Sequence, residues 1–109
     1  MSAGQAWALL FVAGLLEIAW ALALKASDGF SRWLPSLVVV VGALASFWLL
    51  ALAMRVLPAG TAYAVWTGIG AVGTAILGIL WLGEPAGALR VACILLIVAG
   101  VIGLKFVGA

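Results

Sequence analysis

Apolar residues fill four long runs along the 109-residue chain, and short polar or turn-forming stretches separate these runs. A helix needs about 20 residues to span a hydrocarbon core about 30 Å thick. The pattern therefore predicts four membrane-spanning helices, at about residues 4–24, 33–54, 58–82 and 87–106. Because these helices and their short turns use nearly the whole chain, we expect a single all-α membrane domain over residues 1–109.

The predicted turns contain the residues that usually end or begin helices. Lys25 and Gly29 follow the first apolar run, Pro58 follows the second, and Gly83 and Pro85 follow the third. Glycine and proline are the strongest local interruptions of a helical pattern. Since the first sixteen residues lack the Lys or Arg that opens a secretory signal, the first run is interpreted as a retained membrane helix.

The composition supports a membrane setting and excludes several classes of function. Hydrophobic residues make up 69% of the chain, against only five basic and three acidic side chains. The basic residues are spread singly over the turns, which argues against a nucleic-acid partner. The chain has no histidine, so histidine acid-base chemistry and histidine metal sites are excluded. We expect neither enzymatic activity nor a cofactor or metal.

Glu17 is the one ionisable residue inside the first apolar run, between residues 6 and 24. A carboxylate at bilayer depth costs about 2.5–3.5 kcal/mol on insertion scales, and such residues usually serve a function. The alternative is a protonated, hydrogen-bonded carboxyl group with a structural role only.

Helical spacing indicates which side chains could share a site with Glu17, since positions three and four apart lie on one face. Trp20 lies one turn from Glu17, Tyr63 and Trp66 are likewise three apart, and Ser46 is the polar side chain deep in the second run. A carboxylate, three aromatic rings and a hydroxyl suit an organic cation, because each well-placed ring attracts a cation by about 0.5–2 kcal/mol. Taken singly, the aromatics could be interfacial or core residues, and the hydroxyl could bond within its own helix.

The charges of the turns give little preference for one orientation in the membrane. With four helices, Lys25, Arg32 and Arg90 fall on one side, and Arg55 and Lys105 fall on the other. Such an even division leaves the positive-inside rule without a clear choice. If both orientations insert, the expected assembly is an antiparallel homodimer, which would also supply enough helices to enclose a pathway. The alternative is that differences in segment hydrophobicity fix one topology.

Glycines in the third and fourth runs are interpreted as sites of helix packing or bending. Gly68, Gly70 and Gly73 match the spacing of a dinucleotide-binding motif. That motif requires a preceding strand and a soluble βαβ unit, which this chain does not offer. Gly100 belongs to a row of small residues on the fourth helix, of the kind that lets membrane helices approach closely. Which helix forms the dimer seam is left open.

Two sequence runs resemble the small multidrug resistance transporters. They are residues 14–21 (GLLEIAWA) and residues 57–73 (LPAGTAYAVWTGIGAVG). The likeness extends over about residues 9–105 and includes the same four-helix layout. Within that family the guanidinium exporter branch is more similar, on the strength of Trp20, the run at residues 66–71 and the closing residues 103–105 (GLK).

The resemblance implies an antiparallel, dual-topology homodimer in the bacterial inner membrane that exports guanidinium in exchange for protons. The central glutamate of the family falls on Glu17, and its binding-site residues fall on Trp20, Ser46, Tyr63 and Trp66. Loss of water disfavours a charged carboxylate and a nearby cation favours it, so a proton and a cation would compete for Glu17.

Two other functions fit the same residues. One is polyspecific export of hydrophobic quaternary ammonium compounds, which predicts transport of cations that have no N–H donors. The other is a non-transporting membrane interaction subunit, in which Glu17 forms a hydrogen bond between helices. This last hypothesis predicts that Glu17→Gln leaves function intact.

Overall fold

A computed structural model describes residues 1–107, and the regular structure within them is α-helical. The four helices are α1 (Ala3–Ala26), α2 (Trp33–Ala53), α3 (Ala59–Trp81) and α4 (Ala88–Val107). Each is long and apolar enough to cross a membrane. The prediction of an all-α protein with four membrane-spanning helices is therefore confirmed, whereas the antiparallel homodimer stays a prediction.

Helix α1 is closed at both ends by serine side chains. The Ser2 hydroxyl accepts the Gln5 N–H at 3.1 Å, while the Gln5 side chain accepts the Ser2 N–H at 2.9 Å, which satisfies two free donors of the first turn. At the other end, the Ser27 hydroxyl donates to the Leu24 carbonyl at 2.7 Å. The helix continues two residues beyond the predicted end at Leu24, because Lys25 is favourable beside the carbonyls of a last turn.

The end of α3 is turned by a glycine in the left-handed region. Gly83 has a φ of 70°, which a residue without a Cβ adopts at little cost. The chain then folds back, and the Glu84 N–H donates to the Gly78 carbonyl at 3.1 Å. This turn places the Glu84 side chain over the last part of α3.

The helices form a slab with Cα extents of 39 × 35 × 16 Å. Helix α1 packs against both α2 and α3, whereas α4 packs its backbone against α3 alone. We call α1, α2 and α3 the three-helix core, because the buried apolar side chains lie among them. The buried apolar side chains that form one cluster are Ala6, Leu10, Ala13, Leu50, Ala53, Leu57, Ala62, Val65 and Trp66.

Glycines on α3 permit close approach of the neighbouring helices. A Cβ at Gly68 would overlap the side chain of Val101 on α4, and a Cβ at Gly73 would overlap Ile18 on α1. Helix α3 runs without interruption through both glycines, so their role in bending stays a prediction. At Gly100, a Cβ would have no heavy atom within 4 Å among the described residues.

Candidate functional site

An open groove of about 390 Å³ runs along one face of α3, between α1 and the first turn of α4. Glu17 and Trp20 of α1 line its inner part, beside Gly70 and Thr74 of α3. Its outer part is lined by Glu84, within the turn that joins α3 to α4, and by Arg90, in the first turn of α4. The groove thus joins a carboxylate at bilayer depth to the end of the helix bundle.

The Glu17 carboxylate rests directly on the backbone of Gly70. A Cβ at Gly70 would overlap this carboxylate, so α3 makes room for it only because the residue there is glycine. Oε1 of Glu17 is shielded from solvent and has no hydrogen-bond partner among the described residues. Buried polar atoms normally have partners. Oε1 therefore accepts no hydrogen bond within the described chain, although the Glu17 side chain that carries it lines the open groove.

Trp20 lines the same groove. Its indole Nε1 is shielded and has no partner within the part of the chain that the structure describes. The ring packs edge-on against Phe47 of α2, with centroids 6.2 Å apart and planes at 66°. A Cβ at Gly42 would lie 3.1 Å from the Trp20 Cβ, which shows how closely α2 approaches here.

Ser46 joins the three helices of the core through its hydroxyl group. The hydroxyl donates to the Ala13 carbonyl of α1 at 2.7 Å and accepts the Trp66 Nε1–H of α3 at 2.9 Å. Ser46 is fully buried and Trp66 is only 5% exposed. The bond to Ala13 crosses between helices, and it uses the single O–H of the serine, so this hydroxyl does not donate to Glu17 here.

Four aromatic side chains form a continuous row from Trp20, beside the core, to Tyr63 at the surface. Trp20 contacts Phe47, Phe47 contacts Trp66 with centroids 5.5 Å apart, and Trp66 contacts Tyr63 at the same spacing. Tyr63 stands at the outer end of the row, 56% exposed. Phe47 was missed by sequence reasoning, because a phenylalanine in an apolar run offers no contrast beyond its position next to Ser46.

The predicted site residues thus fall into two groups. Glu17 and Trp20 line the groove, whereas Ser46 and Trp66 are buried in the core and hydrogen-bonded to each other. Tyr63 is connected to Trp20 through the row of aromatic contacts that includes Trp66 and Phe47. Sequence reasoning also missed three groove residues, Thr74, Glu84 and Arg90. The opposite charges of Glu84, which stands between Gly83 and Pro85, and of Arg90, six positions later, were the available signal.

The chain resembles proteins with names that describe transport. The family model of the Small Multidrug Resistance protein matches residues 5–97. The chain is 63% identical over 101 residues to the guanidinium exporter of Yersinia pseudotuberculosis serotype I (strain IP32953), a match that covers 93% of the chain and 97% of the relative. Against the guanidinium exporter of Escherichia coli (strain K12), the identity is 58%, with 93% and 96% covered. Against that of Citrobacter freundii it is 56%, with the same shares covered.

Proposed function

The chain belongs to the small multidrug resistance family, and we propose that it exports guanidinium across the bacterial inner membrane in exchange for protons. Relatives that are 56–63% identical over nearly their whole length carry the name guanidinium exporter. The four apolar helices agree with a multi-pass protein of that membrane. Guanidinium is therefore the proposed cargo, and protons are the proposed coupling ion.

One observation carries the proposal: Glu17 lines an open groove at bilayer depth, and its Oε1 has no hydrogen-bond partner among the described residues. A structural carboxyl group between helices would be expected to bond to a neighbouring helix. Glu17 instead lies on Gly70, which has no side chain to bond it. This arrangement leaves the carboxylate to an outside partner.

Guanidinium fits this position by shape and by charge. Its planar fork of N–H groups can form two parallel hydrogen bonds to one carboxylate. The Trp20 ring, one turn from Glu17, offers a face to the cation and limits the room for bulkier ions. Behind Trp20, the contacts through Phe47 to Trp66 hold this ring in place.

Exchange follows from a single carboxylate that takes either of two cations. A proton neutralises Glu17 when no cation is present, and a bound guanidinium keeps it ionised. Since both cannot neutralise the same carboxylate, the arrival of one releases the other. If the empty, ionised site is slow to change its side of access, guanidinium moves out only as protons move in.

An antiparallel homodimer is the assembly that we propose for this exchange. The chain forms a thin slab with an open groove, so a second copy would supply the opposite wall. The nearly even distribution of Lys and Arg between the two sides is compatible with insertion in both orientations. The two copies of Glu17 would then lie near each other and titrate as a coupled pair.

Reconstituted vesicles test the proposal directly. With an imposed proton gradient, we expect wild-type protein to drive guanidinium against its concentration and to move tetramethylammonium poorly. Glu17→Gln is expected to lower guanidinium flux about ten-fold or more, since a hydrogen bond to a charged group contributes about 1.5–3 kcal/mol. The matched control is Asp28→Asn, which neutralises an exposed acid outside the groove.

The contrary results are distinct. Guanidinium flux that ignores the proton gradient would exclude antiport. Equal transport of tetramethylammonium would favour the polyspecific alternative, because that ion has no N–H donor. Full flux after Glu17→Gln would show that the carboxylate has only a structural role.

A further inference from the structure

A second carboxylate lies at the outer end of the groove, and it already holds a guanidinium group. Oε1 of Glu84 accepts a hydrogen bond from Nη2 of Arg90 at 2.8 Å. Both side chains are 39% exposed, so water and solutes reach the pair. The contact has the same two chemical groups that are proposed to meet at Glu17.

The pair is joined by one hydrogen bond between side chains that lie partly under the surface. The contact uses a single carboxylate oxygen, not the two-bond fork that a guanidinium can form. Nε of Arg90 is shielded and has no hydrogen-bond partner among residues 1–107. A free guanidinium ion is not tethered to a helix, so it can donate two parallel hydrogen bonds to the Glu84 carboxylate.

The two carboxylates lie over the same face of α3. Glu17 lies on Gly70, and a Cβ at Gly78 would stand 2.5 Å from Oε1 of Glu84. Gly78 lies eight positions after Gly70, which corresponds to about 12 Å along a helix. Halfway between them, Thr74 lines the groove with a shielded hydroxyl oxygen that has no partner in the described part of the chain.

We infer that Glu84 is an outer binding residue for guanidinium, and that Arg90 occupies its carboxylate until a substrate guanidinium displaces it. This inference rests on the proposed function. A substrate ion exchanges with the Arg90 side chain at Glu84, passes the Thr74 hydroxyl and reaches Glu17. Arg90 thereby competes with the substrate for one carboxylate and prevents that carboxylate from standing empty.

Opposite effects of two single variants test the inference. We expect Glu84→Gln to raise the apparent KM for guanidinium about two- to five-fold, because the outer acceptor is lost. We expect Arg90→Gln to lower it by a similar factor, because the competitor is lost. Factors of this size match the strength of exposed ion pairs. Asp28→Asn, outside the groove, is the matched control and should leave the KM unchanged.

The double variant separates competition from a general effect of charge. A positive charge near the groove repels cations with or without Glu84. If Arg90 acts by occupying Glu84, Arg90→Gln has no effect on the KM in the Glu84→Gln background. Effects that multiply in the double variant would overturn the inference, because non-additivity is the mark of direct coupling.

A purely structural pair would behave differently. In that case both single variants would change the KM or the unfolding midpoint in the same direction, which would overturn the inference while wild-type transport remained intact. Wild-type vesicles that fail to move guanidinium would instead refute the proposed function, and this inference with it. The two failures are therefore distinguishable.

Discussion

The three-helix core and helix α4 differ in packing although they are alike in apolar character. Helices α1, α2 and α3 bury side chains against one another, whereas α4 has no buried residue along its length. All four helices qualify as membrane spans. In lipid, apolar surface alone does not drive helices together. Close packing and hydrogen bonds between polar groups determine which helices associate. Apolar length therefore determines which segments enter the membrane, but not which helices pack.

The contacts that distinguish the two regions can be named. In the core, Ser46 bonds to Ala13 and Trp66 and so ties three helices together. Among the described residues, helix α4 has no such bond to the core, and it meets α3 where Gly68 makes room for Val101. Most of the surface of α4 is left for lipid or for a second copy of the chain.

Truncating one leucine in each region should give the largest difference in stability. Leu10 is fully buried in the core, and Leu96 on α4 is 72% exposed. We expect Leu10→Ala to lower the free energy of unfolding by about 2–5 kcal/mol, the usual cost of emptying a packed site. Leu96→Ala should change it by less than about 0.5 kcal/mol. Unfolding of the monomer in detergent measures both values.

The Leu96→Ala variant also tests whether lipid or a second chain covers α4. If a second chain covers Leu96, Leu96→Ala should lower the dimer fraction at a given protein-to-detergent ratio. If lipid covers it, the dimer fraction should stay at the wild-type value. Equal losses of monomer stability for both variants would contradict the distinction between core and α4.

A matched pair of glycine substitutions compares the regions by function. A Cβ at Gly70 overlaps the far end of the flexible Glu17 side chain, so Gly70→Ala should fold while displacing the carboxylate. We expect guanidinium flux to fall about ten-fold or more, since positioned groups lose activity steeply when they shift by about 1 Å. Vesicle flux and the unfolding midpoint are measured together.

Gly100→Ala is the matched variant on α4, where the added Cβ has no heavy atom of the described chain within 4 Å. We expect the folded monomer to be unchanged, and any loss of flux to accompany loss of the dimer. Reduced flux with an intact dimer would contradict this expectation. For the first variant, a Gly70→Ala protein that transports guanidinium at the wild-type rate would contradict the predicted loss of flux.

The number and extent of the helices were predictable because they depend on local features. Apolar length gave four spans, and the residues in the turns located their ends to within two positions. The C-terminal end of α1 lies two residues beyond the predicted one, because Lys25 is favourable beside the last carbonyls and Ser27 then closes the helix through its hydroxyl group. Such capping depends on near neighbours in sequence, so the local pattern contains most of the information.

The arrangement of the site was less predictable, because helical spacing relates only residues of one helix. The spacing of Glu17 and Trp20 placed both on one face, and both do line the groove. The bonds of Ser46 join residues 33 and 20 positions away, which no periodicity reveals. The contact between Glu84 and Arg90 was not predicted, since it depends on how the turn after α3 folds back.

The smallest predicted effect concerns the contact by which α4 reaches α1. The Lys105 ammonium lies 4.7 Å from the centroid of the Trp7 ring. An exposed cation-π contact contributes about 0.5–1 kcal/mol. We expect Lys105→Gln to lower stability by about that amount and to weaken hydrogen-exchange protection in the last turns of α4, with little change in the three-helix core. Arg55→Gln, an exposed cation at the end of α2, is the matched control.

The informative measurement is which helices lose hydrogen-exchange protection in Lys105→Gln. A helix that is packed only at one face should loosen by itself when an end contact is removed, because its opening does not require the core to open. If protection falls equally in α1, α2 and α3, then α4 unfolds together with the core, and the two regions are one cooperative unit. If protection falls in α4 alone and recovers when the dimer is favoured, a second chain supplies the packing that a single chain does not.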